Sequence, residues 1–268
     1  MKRIKKGYEE FWAERLHIRW KPDIVTPEDP SSVCRQEADF IKDVLSLGPE
    51  KRALDLGCGA GEHCLFLAEQ GVRTTGIDIA PVLIEYARGR AKEAEIPAKF
   101  LCADMRTFRT QPPFDAIFTS SGTFGMFDDA GNRAVLQTIS AALVPGGRFL
   151  IGPSGPSLLE SESFRHKTWV FVDDGCLLIE QRWDRATSLF HETLLLIDET
   201  GAIIEMAAED EERWWESAKP YSVAQLKEMI DAAGLTFTAA YGSFEIPLEP
   251  YGPDSARILV VGQKRNAA

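Results

Sequence analysis

The stretch ALDLGCGAGE at residues 53–62, followed by TGIDI at residues 75–79, decides the fold. A short apolar strand runs into a glycine-rich turn, a helix follows, and a second apolar strand ends on the carboxylate of Asp78. Glycine lets the backbone of such a turn adopt conformations that a Cβ atom would forbid, and it lets a ligand approach closely. These segments predict the first half of a nucleotide-binding βαβ unit, in which Asp78 accepts hydrogen bonds from both ribose hydroxyls.

Asp55 indicates which kind of nucleotide this turn favours. In a dinucleotide site the turn cradles a pyrophosphate, so a carboxylate two residues before the first glycine would face like charge at low dielectric. A ligand that carries an ammonium and a sulfonium group, and no phosphate, would instead be attracted by that carboxylate. We therefore expect a cationic nucleoside at the G-x-G-x-G turn of residues 57–61.

Four segments resemble, in chain order, the motifs of the class I S-adenosylmethionine (SAM) dependent methyltransferases. The glycine turn resembles motif I, and KFLCADM at residues 99–105 resembles the strand end whose acid meets the adenine amino group. FDAIFTS at residues 114–120 resembles the fourth strand, and LVPGGRFL at residues 143–150 resembles the turn into the fifth. The resemblance implies SAM as the cofactor and S-adenosylhomocysteine as its product. No pair of His, Asp or Glu residues has a metal-ligand spacing, so no metal is expected.

The alternation of strands and helices predicts an α/β fold: a doubly wound, seven-stranded, mostly parallel sheet with helices on both faces. Residues 51–156 and 217–268 are interpreted as this Rossmann-like core, and residues 1–50 as an N-terminal helical cap that acts as a lid. Between residues 157 and 216, short β-rich runs are separated by Asp/Gly turns. This pattern predicts an antiparallel β-sheet, inserted after strand five, that roofs the acceptor site.

The resemblance also implies which residues hold the cofactor. Asp78 takes the ribose diol, Asp104 accepts from the adenine amino group, and Asp55 orders the turn or meets the ammonium group of the methionine moiety. The glycine-turn backbone approaches the methionine and ribose, Ile79 and Met105 meet the adenine, and aromatic residues near the N-terminus close over the methionine end. The full set is Tyr8, Trp12, Asp55, Gly57, Cys58, Gly59, Ala60, Asp78, Ile79, Asp104, Met105 and Ser120.

Methyl transfer from a sulfonium is an in-line displacement, so the protein needs chiefly to align the acceptor and exclude water. An amine acceptor needs only to be deprotonated, whereas a hydroxyl acceptor usually needs a general base. The candidates for such a base are His166, His191 and Tyr221, although a lone strand histidine is often structural and Tyr221 also suits the position before a helix start.

Aromatic residues are the candidates for the wall of the acceptor pocket, with ordinary core packing as the alternative for each. They are Phe124, Phe127, Trp169, Trp183 and Trp215. The acidic run at residues 209–212 beside paired tryptophans would attract a cationic amine, or it is a solvated turn. The segment at residues 120–127 lacks the Asn/Asp-Pro-Pro-Tyr/Phe pattern of enzymes that methylate planar nitrogens, which counts against DNA or protein amides as acceptors.

Composition narrows the class of protein further. The net charge is −11, which argues against nucleic acid as the main partner. The only basic cluster is interpreted as a solvated terminus and consists of Lys2, Arg3, Lys5 and Lys6. Five cysteines without a CxxC pair indicate reduced thiols in the cytoplasm. No secretory segment or apolar run of membrane length is present, so no membrane association is expected. The sequence leaves a homodimer open.

The sequence therefore favours a SAM-dependent methyltransferase that moves a methyl group to a nitrogen or oxygen atom of a small molecule. An enzyme that transfers another SAM-derived group, or that methylates sulfur or carbon, is the alternative within the fold. Two alternatives belong to other functional classes. One is an NAD-dependent oxidoreductase, which Asp55 and the glycine spacing disfavour, and the other is a non-catalytic SAM-binding module.

Overall fold

The computed structural model of the protein describes residues 3–6, 30–119, 123–153, 167–172, 175–184, 189–206, 216–253, 255 and 257–266. In chain order the elements are β1 (Arg3–Lys6), α1 (Pro30–Val44), β2 (Arg52–Leu56), α2 (Glu62–Glu69), β3 (Arg73–Asp78), α3 (Pro81–Glu93), β4 (Lys99–Cys102), β5 (Phe114–Phe118), α4 (Asp129–Ala142), β6 (Leu143–Ile151), β7 (Lys167–Val172), β8 (Gly175–Asp184), β9 (Leu189–Asp198), β10 (Ile203–Met206), β11 (Glu216–Ala218), α5 (Val223–Ala232), β12 (Leu235–Tyr241) and β13 (Leu259–Lys264).

The larger sheet has seven strands in the order β12-β13-β6-β5-β2-β3-β4. Strands β6, β5, β2, β3 and β4 are parallel to one another, and β13 is antiparallel to both β6 and β12. The chain order reverses between β2 and β5, which is the switch point where open α/β sheets bind ligands beyond the carboxyl ends of their strands. The predicted fold class is confirmed.

Both faces of this sheet are covered, which explains why its central strands are almost continuously apolar. Leu54 and Leu56 pack in a cluster that includes residues of α4 and α5, such as Leu136 and Ile230. Ala53, just before Leu54, belongs to a cluster on the other face with residues of α1 and α2. Because helices cover both faces, a ligand reaches the strands only at their ends.

Local sequence signals set the starts of the helices that flank this edge. Asp128 precedes α4, and its side chain accepts a hydrogen bond from the amide of Gly131 at 2.8 Å. Ser222 and Gln225 form a reciprocal capping box at the start of α5. These side chains satisfy backbone amides that have no partner within the helix.

The smaller sheet has the order β1-β10-β9-β8-β7, with β11 also paired to β9. Its strands β7 to β11 are antiparallel, as the Asp/Gly turns predicted. The basic stretch at residues 3–6 forms β1, which pairs in parallel with β10. No local pattern predicts this strand, because its four residues pair with a distant segment of the chain. The helix predicted around Tyr8 and Trp12 lies outside the described residues.

Candidate active site

The glycine turn after β2 is tied to the neighbouring strand β3. The backbone amides of Gly57 and Cys58 both donate to the carbonyl oxygen of Ile77, at 2.8 and 2.9 Å. Gly57 has a φ of +79°, and a Cβ atom placed there would lie 2.6 Å from Cγ2 of Thr123. Only glycine fits such a contact in this conformation. The turn is therefore held both by β3 and by the loop that begins at Thr123.

Gly59, two residues further along the turn, has open space beside it. Its φ is +54°, and a Cβ atom placed there would meet no described atom within 4 Å. The Cys58 side chain, by contrast, points into the protein and packs against Gly76 of β3. A Cβ atom placed on Gly76 would lie 2.7 Å from the Cys58 sulfur, and Cys58 is only 6% exposed. The turn thus offers open backbone at Gly59, while the Cys58 side chain packs inside.

Asp78 at the end of β3 bridges the two turns that follow β2 and β3. Its Oδ2 accepts a hydrogen bond from the amide of Gly59 at 3.0 Å, and its Oδ1 accepts one from the amide of Ala80 at 2.9 Å. A carboxylate has about four acceptor positions, so Asp78 keeps the capacity to accept two further hydrogen bonds. Ile79 beside it is 52% exposed and presents an apolar surface.

Asp55 is fully buried beneath the turn. Its Oδ2 lies 3.9 Å from the Cys64 sulfur, and its Oδ1 has no hydrogen-bond partner among the described residues. Burial raises the pKa of Asp55 to about 7; His63 counteracts this rise, and the charges of Asp78 and Glu62 add to it. A buried carboxyl oxygen without a partner costs free energy, so a cationic group nearby would be favourable.

His63 lies close to Asp55, a position that sequence analysis missed. Its Nε2 is 2.9 Å from Oε2 of Glu37 on α1, and Oε1 of Glu37 accepts from Nη1 of Arg257 at 3.4 Å. Burial lowers the pKa of His63, but the hydrogen bond to Glu37 and the charges of Asp55, Glu37 and Glu62 outweigh it, so the net shift is upward. The imidazole, when protonated, partly compensates the charge of the carboxyl groups around the turn.

Asp104, which follows β4, is held by Arg106. Both carboxylate oxygens accept from the guanidinium group, the shortest contact being 2.6 Å, and Oδ1 also accepts from the Arg106 amide at 2.8 Å. These hydrogen bonds lower the pKa of Asp104. The guanidinium carbon lies 4.5 Å from the ring centre of Phe127. Sequence analysis missed Arg106, although an Asp two residues earlier is the pattern of an Asx turn.

Two side chains outside the turn, Met105 and Arg90, contact its residues Gly57 and Ala60. A Cβ atom on Gly57 would be 3.1 Å from Cε of Met105, so the Met105 side chain packs against the turn. The Ala60 carbonyl oxygen accepts a hydrogen bond from Nη1 of Arg90 at 3.2 Å. Arg90 and Met105 thus help to fix the turn in place.

Residues 123–128, here called the acceptor loop, contain two of the predicted wall residues. Phe124 is 1% exposed and packs in the core, with its ring centre 6.0 Å from that of Tyr221. Phe127 is partly buried beneath Arg106, and Met126 between them is 37% exposed. The structure therefore places Phe124 in the core, where apolar packing accounts for it, and brings Phe127 to the side of Asp104 and Arg106.

Tyr221 lies inside the protein rather than with its hydroxyl exposed. The residue is 2% exposed; its hydroxyl donates to Oδ1 of Asp129 at 2.8 Å and accepts from Nδ2 of Asn132 at 2.9 Å. Burial and the hydrogen bond to Asp129 raise the pKa of Tyr221 above its ordinary value. A phenol that is harder to deprotonate and already paired with a carboxylate is poorly suited to act as a base. This geometry gives Tyr221 a structural position.

The remaining predicted residues are described only in part or not at all. Trp169 on β7 is 51% exposed. The backbone of His191 pairs in register with Arg182 and Ser217, and that of Trp183 pairs with Phe190, but their side chains lie outside the description. The predicted residues that fall entirely outside it are Tyr8, Trp12, Ser120, His166 and Trp215.

Among the described residues, no group of three or more His, Cys, Asp or Glu side chains is arranged to hold a metal ion. No helix in the described part of the chain is both long and apolar enough to cross a bilayer.

Residues 53–147 match the family model of a methyltransferase domain. The chain is 35% identical to Nodulation protein S of Sinorhizobium fredii over 131 residues, which are 47% of this chain and 60% of that protein. It therefore spans less than two thirds of that relative. It is 26% identical to the cypemycin N-terminal methyltransferase of a Streptomyces species over 218 residues, 80% of this chain and 84% of the relative.

Among solved structures, the CcbJ methyltransferase of Streptomyces caelestis superimposes with a TM-score of 0.73 at 17% identity, covering 97% of this chain and 99% of that chain. At that identity the likeness concerns the fold alone. The open backbone at Gly59, the spare acceptor capacity of Asp78 and the unpaired oxygen of Asp55 fit a cationic nucleoside. Residues 53–147 thus match a methyltransferase domain, and the strand order of the larger sheet is that of a doubly wound α/β fold.

Proposed function

We propose that the protein transfers a methyl group from SAM to a nitrogen or oxygen atom of a small-molecule acceptor. The observation that carries this proposal is the buried Oδ1 of Asp55, which has no hydrogen-bond partner among the described residues and lies beneath a glycine turn with open backbone. When bound, SAM supplies a methyl group that its sulfonium charge makes electrophilic. The protein's own task is then to hold the acceptor in line, about 3 Å from that carbon, and to exclude water.

The side chains around the turn have complementary tasks in this proposal. Asp78, held by two backbone amides, would accept hydrogen bonds from the ribose hydroxyls with its remaining capacity. Asp104 would accept from the adenine amino group while Arg106 keeps it ionised, and the exposed face of Ile79 would pack on the base. Asp55 would contribute negative charge toward the ammonium group.

A dinucleotide cofactor is the alternative that the turn most nearly admits. Asp78 and Glu62 are close enough to Asp55 for their charges to raise its pKa, so a pyrophosphate placed here would add further negative charge to an acidic site. That arrangement is electrostatically unfavourable at low dielectric. The acidic surroundings support SAM over NAD.

Thermal unfolding with added SAM, S-adenosylhomocysteine or NAD tests the choice of cofactor. A ligand at 100 times its Kd stabilises a protein by about 2.7 kcal/mol, which raises the Tm by several degrees. We expect this shift with SAM and with S-adenosylhomocysteine, and no shift with NAD at the same concentration. Stabilisation by NAD alone would refute the proposal.

A panel of acceptors tests the methyl transfer itself. Primary amines, amino sugars and phenols would be incubated with SAM, and the release of S-adenosylhomocysteine measured. One curated relative is named an N-terminal methyltransferase of cypemycin, which supports the inclusion of amines. Release that depends on an added acceptor is the expected result. Tight SAM binding without release across the panel would instead favour a non-catalytic SAM-binding module.

A pair of glycine variants tests the open backbone of the turn. Gly59→Ala should fold with a loss of only about 1 kcal/mol, the cost of a left-handed non-glycine residue, because its Cβ atom meets no described neighbour. We expect its affinity for S-adenosylhomocysteine to fall at least tenfold, because the methyl group fills the space beside the backbone. Isothermal titration calorimetry and thermal unfolding measure the two effects.

Gly57→Ala is the matched comparison for this variant. Its Cβ atom would lie 2.6 Å from Cγ2 of Thr123, so its free energy of unfolding should fall further than that of Gly59→Ala. If Gly59→Ala bound S-adenosylhomocysteine as tightly as the wild type, the proposed approach of the ligand to Gly59 would be incorrect.

A further inference from the structure

The chain that returns from the smaller sheet is joined to the acceptor loop. Residues 219–221, here called the return segment, follow β11, and the amide of Lys219 donates to the carbonyl oxygen of Gly125 at 2.7 Å. Gly125 has a φ of +102°, and a Cβ atom placed there would lie 2.8 Å from the carbonyl oxygen of Lys219. The two backbones approach so closely that only glycine fits at this point.

Four side chains reinforce this contact; Asp129, Asn132, Lys219 and Tyr221 are here called the polar joint. Both oxygens of Asp129 are used: Oδ2 accepts from Nζ of Lys219 at 2.7 Å and Oδ1 accepts from the hydroxyl of Tyr221 at 2.8 Å. Asn132 donates to the same hydroxyl at 2.9 Å. The joint therefore connects the first turn of α4 to the return segment through hydrogen bonds in which every member participates.

Asn132 extends the joint into the acceptor loop. Its Oδ1 accepts from the amide of Gly125 at 3.2 Å, and its Nδ2 also donates to the carbonyl oxygen of Phe127 at 2.7 Å. Asn132 is fully buried, and a buried amide that lost these partners would be costly. A satisfied buried network of this kind favours one arrangement of the loop.

The other side of the acceptor loop lies against the cofactor site. Thr123 packs on Gly57 of the glycine turn, and Phe127 lies under the guanidinium group of Arg106, which holds Asp104. The loop is thus bounded by residues proposed to bind the cofactor and by the segment that returns from the smaller sheet. A shift of the return segment would be transmitted to the loop through the joint.

We propose that Asp129 and Tyr221 are positioning residues that set the acceptor loop relative to the cofactor, and so determine how the methyl acceptor is aligned. This inference rests on the proposed methyl transfer. It gives Tyr221 a role through the loop and not in proton transfer. Because in-line displacement is sensitive to misplacement by about 1 Å, loosening the joint should impair acceptor use far more than cofactor binding.

Tyr221→Phe tests the joint without requiring turnover. The variant keeps the ring beside Phe124 and removes the hydroxyl that Asp129 and Asn132 share. We expect hydrogen exchange in peptides covering residues 123–132 and 219–221 to accelerate together by about three- to tenfold, the effect of one lost hydrogen bond. Calorimetric affinity for S-adenosylhomocysteine should stay within about twofold of wild type.

Two further variants distinguish the loss of the polar joint from a general loss of protein stability. Tyr241→Phe makes the same chemical change on β12, at a ring that contacts Phe40, and should leave exchange in both peptides unchanged. If Tyr221→Phe fails to fold, Lys219→Met removes the ion pair to Asp129 from a side chain that is 25% exposed. Lys219→Met should accelerate exchange in the same two segments.

Kinetics with the panel compound that gives the fastest release of S-adenosylhomocysteine provide a second measurement. Tyr221→Phe should raise the acceptor KM about tenfold and lower kcat, with the KM for SAM unchanged, while the shape of the pH profile of kcat is kept. Unchanged exchange in either segment, or loss of one limb of the pH profile, would overturn the proposal. The exchange and binding measurements need no turnover, so failure of the proposed methyl transfer remains distinguishable.

Discussion

Replacing Asp55 by asparagine is expected to stabilise the ligand-free protein by about 1–3 kcal/mol above pH 7, because it removes a buried, incompletely paired charge. The folded-state pKa of Asp55 is about 7, whereas an unfolded aspartate titrates near its ordinary value of about 3.9. Between these values the folded state binds more protons than the unfolded state. The contribution of Asp55 to the free energy of unfolding therefore falls as the pH rises from 4 to 7, and stays low above 7.

Urea unfolding of wild type and Asp55→Asn between pH 5 and 8.5 measures this difference. The gap in the free energy of unfolding should widen with rising pH and level off above pH 7. The same substitution should weaken SAM binding although it stabilises the ligand-free protein. Calorimetry at pH 8 should show an affinity for SAM that is about tenfold lower in Asp55→Asn, because the carboxylate charge is lost. A gap that did not change with pH would contradict the assignment of a raised pKa to Asp55.

Asp115→Asn is a control that should change the free energy of unfolding in the opposite direction. Asp115 accepts from Nζ of Lys51 at 2.8 Å and from the amide of Arg52 at 2.9 Å. Its burial raises its pKa, but these hydrogen bonds and the two basic charges outweigh burial, and the net shift is downward. A lowered pKa adds stability that is present above the ordinary pKa and is lost in acid. Asp115→Asn should therefore destabilise the protein at pH 8.

Replacing Asp78 by alanine should weaken the binding of S-adenosylhomocysteine by about 1–3 kcal/mol, or about fivefold to more than a hundredfold. The variant removes the carboxylate proposed for the ribose hydroxyls. It also frees the amides of Gly59 and Ala80, so the turn itself loses two hydrogen bonds. Calorimetric titration with S-adenosylhomocysteine measures the change, and an unaltered affinity would refute the ribose role.

A cofactor analogue separates the two tasks of Asp78. Wild type should bind S-adenosylhomocysteine more tightly than its 2′-deoxyadenosyl analogue, because one ribose hydroxyl is missing from the analogue. Asp78→Ala should bind the two alike if Asp78 contacts that hydroxyl. Asp78→Asn keeps an acceptor oxygen for the turn and should retain more stability than the alanine variant. An equal preference for the hydroxyl in wild type and Asp78→Ala would assign Asp78 to the turn alone.

The larger sheet was predictable because its signals are local. Apolar runs of strand length, the glycines after β2 and the capping residue Ser222 each act within a few residues, and the observed strands and helices follow them. The short strand β1 was not predictable, because its partner β10 lies near residue 203. A four-residue edge strand has no periodicity that distinguishes it from a solvated terminus.

The candidate site was predictable in a different way. The positions of Asp55, Asp78 and Asp104 at strand ends follow from the chain order alone. What occupies their oxygens does not: Asp78 holds two turn amides, Asp104 is paired with Arg106, and Asp55 has an oxygen without a described partner. The burial of Phe124 and Tyr221 was likewise not predictable from the sequence. Aromatic residues near a sheet edge have the same sequence pattern whether they line a pocket or fill the core.

The sequence by itself predicted the methyltransferase domain, its cofactor and the seven-stranded sheet, because each prediction depends on residue types spaced closely along the chain. Only the tertiary structure decided which charges face one another. His63 meets Glu37 across 26 positions and Lys219 meets Asp129 across 90, and such pairs depend on helix packing and on the path of the return segment. Burial then shifts the pKa of each charged group, because its desolvation depends on surroundings that are assembled from distant parts of the chain.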